Sequence, residues 1–171
     1  MRKVEVLPYN PLWVSKFEEE AENFRLIFGK EIIVIHHIGS TAVPGLNAKP
    51  IIDVMPVVKD INRVDEYNGQ LLLQGYESKG ENGICGRRYF TKGGNHRTHH
   101  IHIYALGNPQ IERHLAFRDY LRAHPKTAKN YGDLKAELAV QYPYDISSYI
   151  KGKEELGLEI DRLAAEWAKN S

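Results

Sequence analysis

The sequence predicts an α+β fold, and three observations carry that expectation. Two β-branched apolar runs, EIIVIHHI (Glu31 to Ile38) and IIDVMPVV (Ile51 to Val58), read as strands. RRYFTK and THHIHIYAL lie on either side of a GGN turn signal and read as an antiparallel hairpin. After Gly107 the pattern changes to three helical stretches, roughly Gln110 to Ala123, Thr127 to Gln141 and Ile146 to Lys169. Strands in the first part and helices in the second give a mixed sheet with helices, followed by a C-terminal helical bundle.

Each element has its own local reason. Asn10-Pro11 pairs an N-cap residue with a proline suited to the first helical position. Trp13, Phe17, Phe24 and Phe28 recur near helical spacing, and Gly29 stops that helix. The strand Ile51 to Val58 is apolar on both faces, which predicts a central position in a covered sheet. The Gly/Pro-rich stretch from Gly39 to Pro50 reads as a loop or a very short helix. Asp60 is placed to cap a helix that carries Ile61, Val64 and Leu71 and ends by Gly75.

At 171 residues the chain is expected to be a single domain, with an α/β part over 1–107 and a helical part over 108–171. A net charge of +1 argues against bulk attraction to nucleic acid or membrane, so any basic site must be local. No apolar run reaches membrane-spanning length. One cysteine, Cys85, precludes an internal disulfide, and MRKVEVLPYNPLW carries no apolar signal-peptide core. A cytoplasmic location is therefore expected. The oligomeric state is left open.

Asp53 is the residue that the strand pattern does not explain. A buried carboxylate without a partner costs several kcal/mol, so it must meet a cation, a donor or water. Strand alternation puts Asp53 with Ile51, Met55 and Val57 on one face. The same alternation puts His100, His102 and Tyr104 on one face of the later strand. If both faces coincide, Asp53 meets His100 and His102. His-x-His on a strand is also a metal-ligand spacing, and zinc takes such an N/O set, whereas magnesium prefers several oxygens. The loop before Asp53 supplies Gly39, Ser40, Thr41 and Lys49, a backbone, hydroxyl and ammonium set that suits phosphate. It is not a Walker loop, because GxxxxGK[ST] is absent. A structural turn, and a structural Asp–His pair, stay open as alternatives.

Five ordered segments resemble the GrpB family, a branch by fold of the polymerase β nucleotidyltransferase superfamily. They are YNPLWVSKFEEE, HIGSTAVPGLNAKPIIDV, HHIHIY, FRDYLRAHPKTAKNYGDLK and YIKGKEE. The resemblance implies a nucleotidyltransferase-like sheet and a nucleotide or phosphorylated small molecule as ligand. It implies Gly39 and Ser40 at the phosphates and Asp53 as the first metal carboxylate. It also implies catalytic and metal roles for Asp53, His100 and His102. Arg118 and Lys135, with Arg88 if it shares the cleft side of its strand, become further phosphate candidates. The position of a second carboxylate is Met55, which Mg²⁺ ignores. Three expectations therefore compete. One is metal-dependent nucleotidyl or phosphoryl transfer with Mg or Zn. The second is a non-catalytic nucleotide-binding module. The third is a one-metal Asp/His hydrolase.

Overall fold

The computed structural model describes residues 2–171, which form two compact units. One comprises Leu12–Ile38 and Ile51–Ile111; the other comprises residues 2–11, Gly39–Pro50 and Glu112–Ser171.

The first unit is built on a five-stranded mixed sheet. Its strands are β1 (Ile32–Ile38), β2 (Ile52–Val58), β3 (Tyr76–Ser78), β4 (Arg87–Lys92) and β5 (His99–Ala105), in the order β1-β2-β5-β4-β3. Only β2 and β5 run parallel; every other neighbouring pair is antiparallel. β2 is an interior strand, as its two apolar faces predict, and β4 and β5 form the predicted antiparallel pair. Interior Pro56 is unusual because it has no N–H for the ladder. The β2–β5 pairing runs from Ile52 to Val54 and resumes at Val57, stepping over it.

Helix α1 (Leu12–Phe28) belongs to this unit. It buries Trp13, Phe24 and Phe28, and Phe17 stacks on His37 of β1 with ring centroids 4.7 Å apart. The helix stops where expected, because Gly29 takes a positive φ of 55°. The continuous helix expected after Asp60 is instead broken into α2 (Ile61–Val64), a 3-10 turn and α3 (Asn68–Leu73). Asp60 does cap it, accepting from the Asn62 N–H. The break has visible tertiary partners. Asp65 is drawn to Arg88, and the Tyr67 ring lies 4.5 Å from that of Phe28. Strand β3 was not expected; three residues are too few for a periodic signal.

The second unit holds α5 (Pro125–Gln141), α6 (Ile146–Lys169) and, from Glu112 onward, α4 (Pro109–Ala123). These are the three expected helices, with the first two starting slightly earlier. The segment Gly39–Pro50 packs among them: Val43 and Leu46 share a core with Leu121, Tyr131, Ile160 and Ala164. Leu7 and Ala48 exchange backbone hydrogen bonds of 2.9 Å, which ties the N-terminal segment to this loop. Among the described residues, no helix is long and apolar enough to cross a membrane.

Candidate functional site

In the sheet unit, the register decides which side chains meet. Residues paired across neighbouring strands share a face. Asp53 pairs with Ile38 on one side and His100 on the other, and Tyr89 pairs with His102. Asp53, His100 and His102 therefore do converge. The Asp53 Oδ1 lies 3.0 Å from His102 Nε2 and 3.6 Å from His100 Nδ1. Their side chains are 25%, 20% and 12% exposed, so the group is partly shielded but reachable. Burial opposes ionisation of Asp53, yet the hydrogen bonds of His100 and His102 outweigh it and hold its pKa far below the usual carboxylate range.

The same face carries residues that the sequence did not single out. Arg87 pairs with Tyr104, and His36 with Met55, so both point to this side. Arg87 is only 6% exposed, and its Nη1 donates to His102 Nδ1 at 3.4 Å. Its Nε and Nη2 donate to the Glu81 and Asn82 carbonyls at 3.1 and 2.8 Å. The guanidinium also lies 4.6 Å over the Tyr89 ring, which in turn packs beside both histidines. Arg88, the candidate named from the sequence, is on the opposite face. It pairs with Ile103 and is held by Asp65 at 2.8 Å. The condition for its role, a shared strand side, is not met. Counting inward from the β4 turn would have given Arg87 if the register had been readable.

Behind the sheet, His99 takes the α1 side, with its Nε2 3.3 Å from Glu20 Oε2 and its Nδ1 2.8 Å from Thr98 Oγ1. Burial, then the nearby lysines Lys92 and Lys16, push His99 down to about 4. Burial pushes the Glu20 carboxyl up, against the pull of Lys92.

In the helical unit, Gly39 enters the turn at a positive φ of 73°, and Ser40–Ala42 form one 3-10 turn. A non-glycine residue would be strained at that φ. Lys135 is 3% exposed, and its Nζ donates to Ser40 Oγ at 2.7 Å while lying 4.6 Å over the Tyr131 ring. Arg122 donates to the Ala42 carbonyl at 2.9 Å, so it is Arg122 that holds the turn. Arg118 donates to Asp119 at 2.8 Å. Thr41 is buried, and the Lys49 Nζ lies 4.5 Å over the Tyr149 ring. The unit thus brings Ser40 and Lys135 together, with Lys49 and Arg118 engaged by other partners. The aromatic partner Tyr131 belongs to the same buried cluster as Val43 and Leu46, and burial pushes its hydroxyl up to about 12.

The fold family implies divalent ions held by carboxylates, and the sheet face can be tested for that. It offers one carboxylate, a fully buried Met55 at the second position, and a His102 whose two ring nitrogens already face Asp53 and Arg87. Among the described residues, no group of three or more His, Cys, Asp and Glu side chains is arranged to hold a metal ion. The donor set does not fit a two-ion carboxylate centre.

The comparisons with known proteins agree with this architecture. The GrpB protein family profile matches residues 3–162. UPF0157 protein YqkA of Bacillus subtilis (strain 168) is 55% identical over 168 residues, 98% of this chain; the chain spans about half, 49%, of that relative. The crystal structure of the conserved protein GrpB from Enterococcus faecalis superposes with a TM-score of 0.93 at 45% identity, covering 96% of this chain and 99% of that one. Cid1 poly(U) polymerase, crystallised with MgGTP, superposes with a TM-score of 0.52 over 77% of this chain and 43% of its own. Its 14% identity speaks to fold alone, and the fold is nucleotidyltransferase-like. A profile match across nearly the whole chain, together with these relatives, establishes that the chain belongs to the GrpB family.

Proposed function

We propose that the chain binds a nucleotide or another phosphorylated small molecule, with its phosphate at the Gly39–Ser40–Thr41 turn and Lys135. The observation that carries this reading is the 2.7 Å contact to Ser40 Oγ from the ammonium of Lys135, a residue only 3% exposed. A buried ammonium gives up its bulk hydration, so it favours an anionic acceptor beside it. A phosphate oxygen would accept from both the ammonium and the hydroxyl and would neutralise the charge. The nucleotidyltransferase-like fold supports the choice of ligand class. Binding without transfer is the form proposed, because among the described residues no group of three or more His, Cys, Asp and Glu side chains is arranged to hold the ions that transfer needs.

Calorimetric titration with ATP, GTP, UTP and inorganic phosphate, with and without Mg²⁺, tests this. Ser40→Ala and Lys135→Met should each weaken binding about tenfold or more, the worth of one charge-assisted hydrogen bond. Circular dichroism should remain that of the wild type. Unchanged affinity in both variants, or no binding of any of these ligands by wild type, overturns the proposal. Metal-dependent release of pyrophosphate from a bound nucleoside triphosphate would move the reading from binding to transfer.

A further inference from the structure

We propose that Arg87 is a positioning residue that locks His102 as its Nε2–H tautomer, making His102 a hydrogen-bond donor to Asp53 and withholding it from metal ions. This is independent of the nucleotide reading above.

An arginine guanidinium carries only donors and does not give up its proton in proteins. Arg87 is buried, and its other nitrogens are fixed by the Glu81 and Asn82 carbonyls, so it cannot turn away. Its Nη1 lies 3.4 Å from His102 Nδ1, which must therefore accept. An accepting Nδ1 carries no hydrogen, so the ring proton is on Nε2. That nitrogen is 3.0 Å from Asp53 Oδ1, an acceptor. The chain of bonds is consistent only in one sense: Arg87 to His102 to Asp53. The opposite tautomer would set two donors against each other at one end and two acceptors at the other. An imidazolium would also direct an N–H at the guanidinium.

The consequence concerns metal choice. A metal ion needs a ring lone pair, and on His102 the one beside Asp53 appears only if the proton moves to Nδ1, against Arg87. His-x-His with a nearby aspartate therefore has metal-ligand spacing here without metal-ligand protonation. Arg87 is also the link between this face and the segment before β4. It grips the Glu81 and Asn82 carbonyls, and the Glu81 carboxylate accepts from the Gly86 N–H at 2.6 Å.

Long-range ¹H–¹⁵N spectra of the imidazole rings report the tautomer directly. Wild type should show His102 as a single Nε2–H species. Arg87→Met removes the donors while keeping an extended side chain, and should move His102 toward the Nδ1–H form. Arg87→Lys, a donor without the fork, should restore part of the wild-type pattern. Zinc titration followed by the same spectra adds a second readout. Arg87→Met should gain about tenfold or more in Zn²⁺ affinity, the size of effect that partners of metal ligands usually exert. An Nδ1–H signal for His102 in wild type overturns the proposal, even if Arg87→Met fails to fold. So does a tautomer unchanged in a folded Arg87→Met, or wild-type zinc binding through His102 as tight as in the variant.

Discussion

His99→Gln should remove a large acid-sensitive part of this protein's stability. His99 is 12% exposed and lies against Glu20, Lys92 and Lys16, and its pKa falls from an ordinary 6.5 to about 4. The sign follows from which state binds the proton. In the unfolded chain His99 takes up a proton as pH falls through 6.5; in the fold it does not until about 4. The fold is thus fully favoured above 6.5 and loses stability as pH drops toward 4. At 1.36 kcal/mol per pH unit of displacement, the loss from pH 7 is about 2 kcal/mol by pH 5 and about 3 kcal/mol by pH 4. Glu20 acts in the opposite sense. Its raised pKa favours the fold in acid and works against it as pH rises. It is present in both proteins, so the comparison isolates His99 as far as the pair titrates independently; repeating it in a Glu20→Gln background measures the coupling. Urea unfolding of wild type and His99→Gln at pH 7, 6, 5 and 4.5 is the assay. The stability difference should shrink by about 2 kcal/mol between pH 7 and pH 5. If both proteins lose stability in parallel over that range, His99 is not held unprotonated by the fold and the reasoning fails.

Two other perturbations test packing and site chemistry. Met55→Asp places a second carboxylate on the Asp53 face at a position that is 0% exposed. It should cost about 3–5 kcal/mol without divalent ions, and Mg²⁺ or Mn²⁺ should recover part of it; thermal melts with no ion-dependent recovery would mean that this face cannot seat ions even with two carboxylates. Gly132→Ala should also destabilise, although alanine is the better helix former by about 1 kcal/mol. Its Cβ would come within 3.0 Å of Leu46 Cδ1 and 3.3 Å of the Asn47 nitrogen, pressing on the segment that carries Ser40. We expect a net loss of about 1–2 kcal/mol in urea unfolding, and a gain would contradict the close packing.

Much of this molecule was already legible in the sequence because its signals are local. Proline before α1, glycine after it, β-branched runs at β1 and β2, and helical spacing after Gly107 are each decided by a few neighbouring residues. The convergence of Asp53 with His100 and His102 was legible as a condition: alternation groups the side chains on each strand, and the Asp53–His100 register makes the two faces coincide. The α2–α3 break, the strand β3 and the role of Arg87 were not. Arg87 and Arg88 are identical in type and adjacent in sequence, and a one-residue change of register would exchange their faces. Only the pairing of Tyr89 with His102 sends Arg87 to the histidines and Arg88 to Asp65. Ser40 and Lys135 likewise carry no mark of each other, being 95 positions apart. Composition and spacing by themselves determined which chemistry was available: a carboxylate, imidazoles, a hydroxyl and cations in the right numbers. Tertiary structure alone decided which nitrogen faces which oxygen, because a hydrogen bond depends on position and direction within a few tenths of an ångström and a local pattern specifies neither.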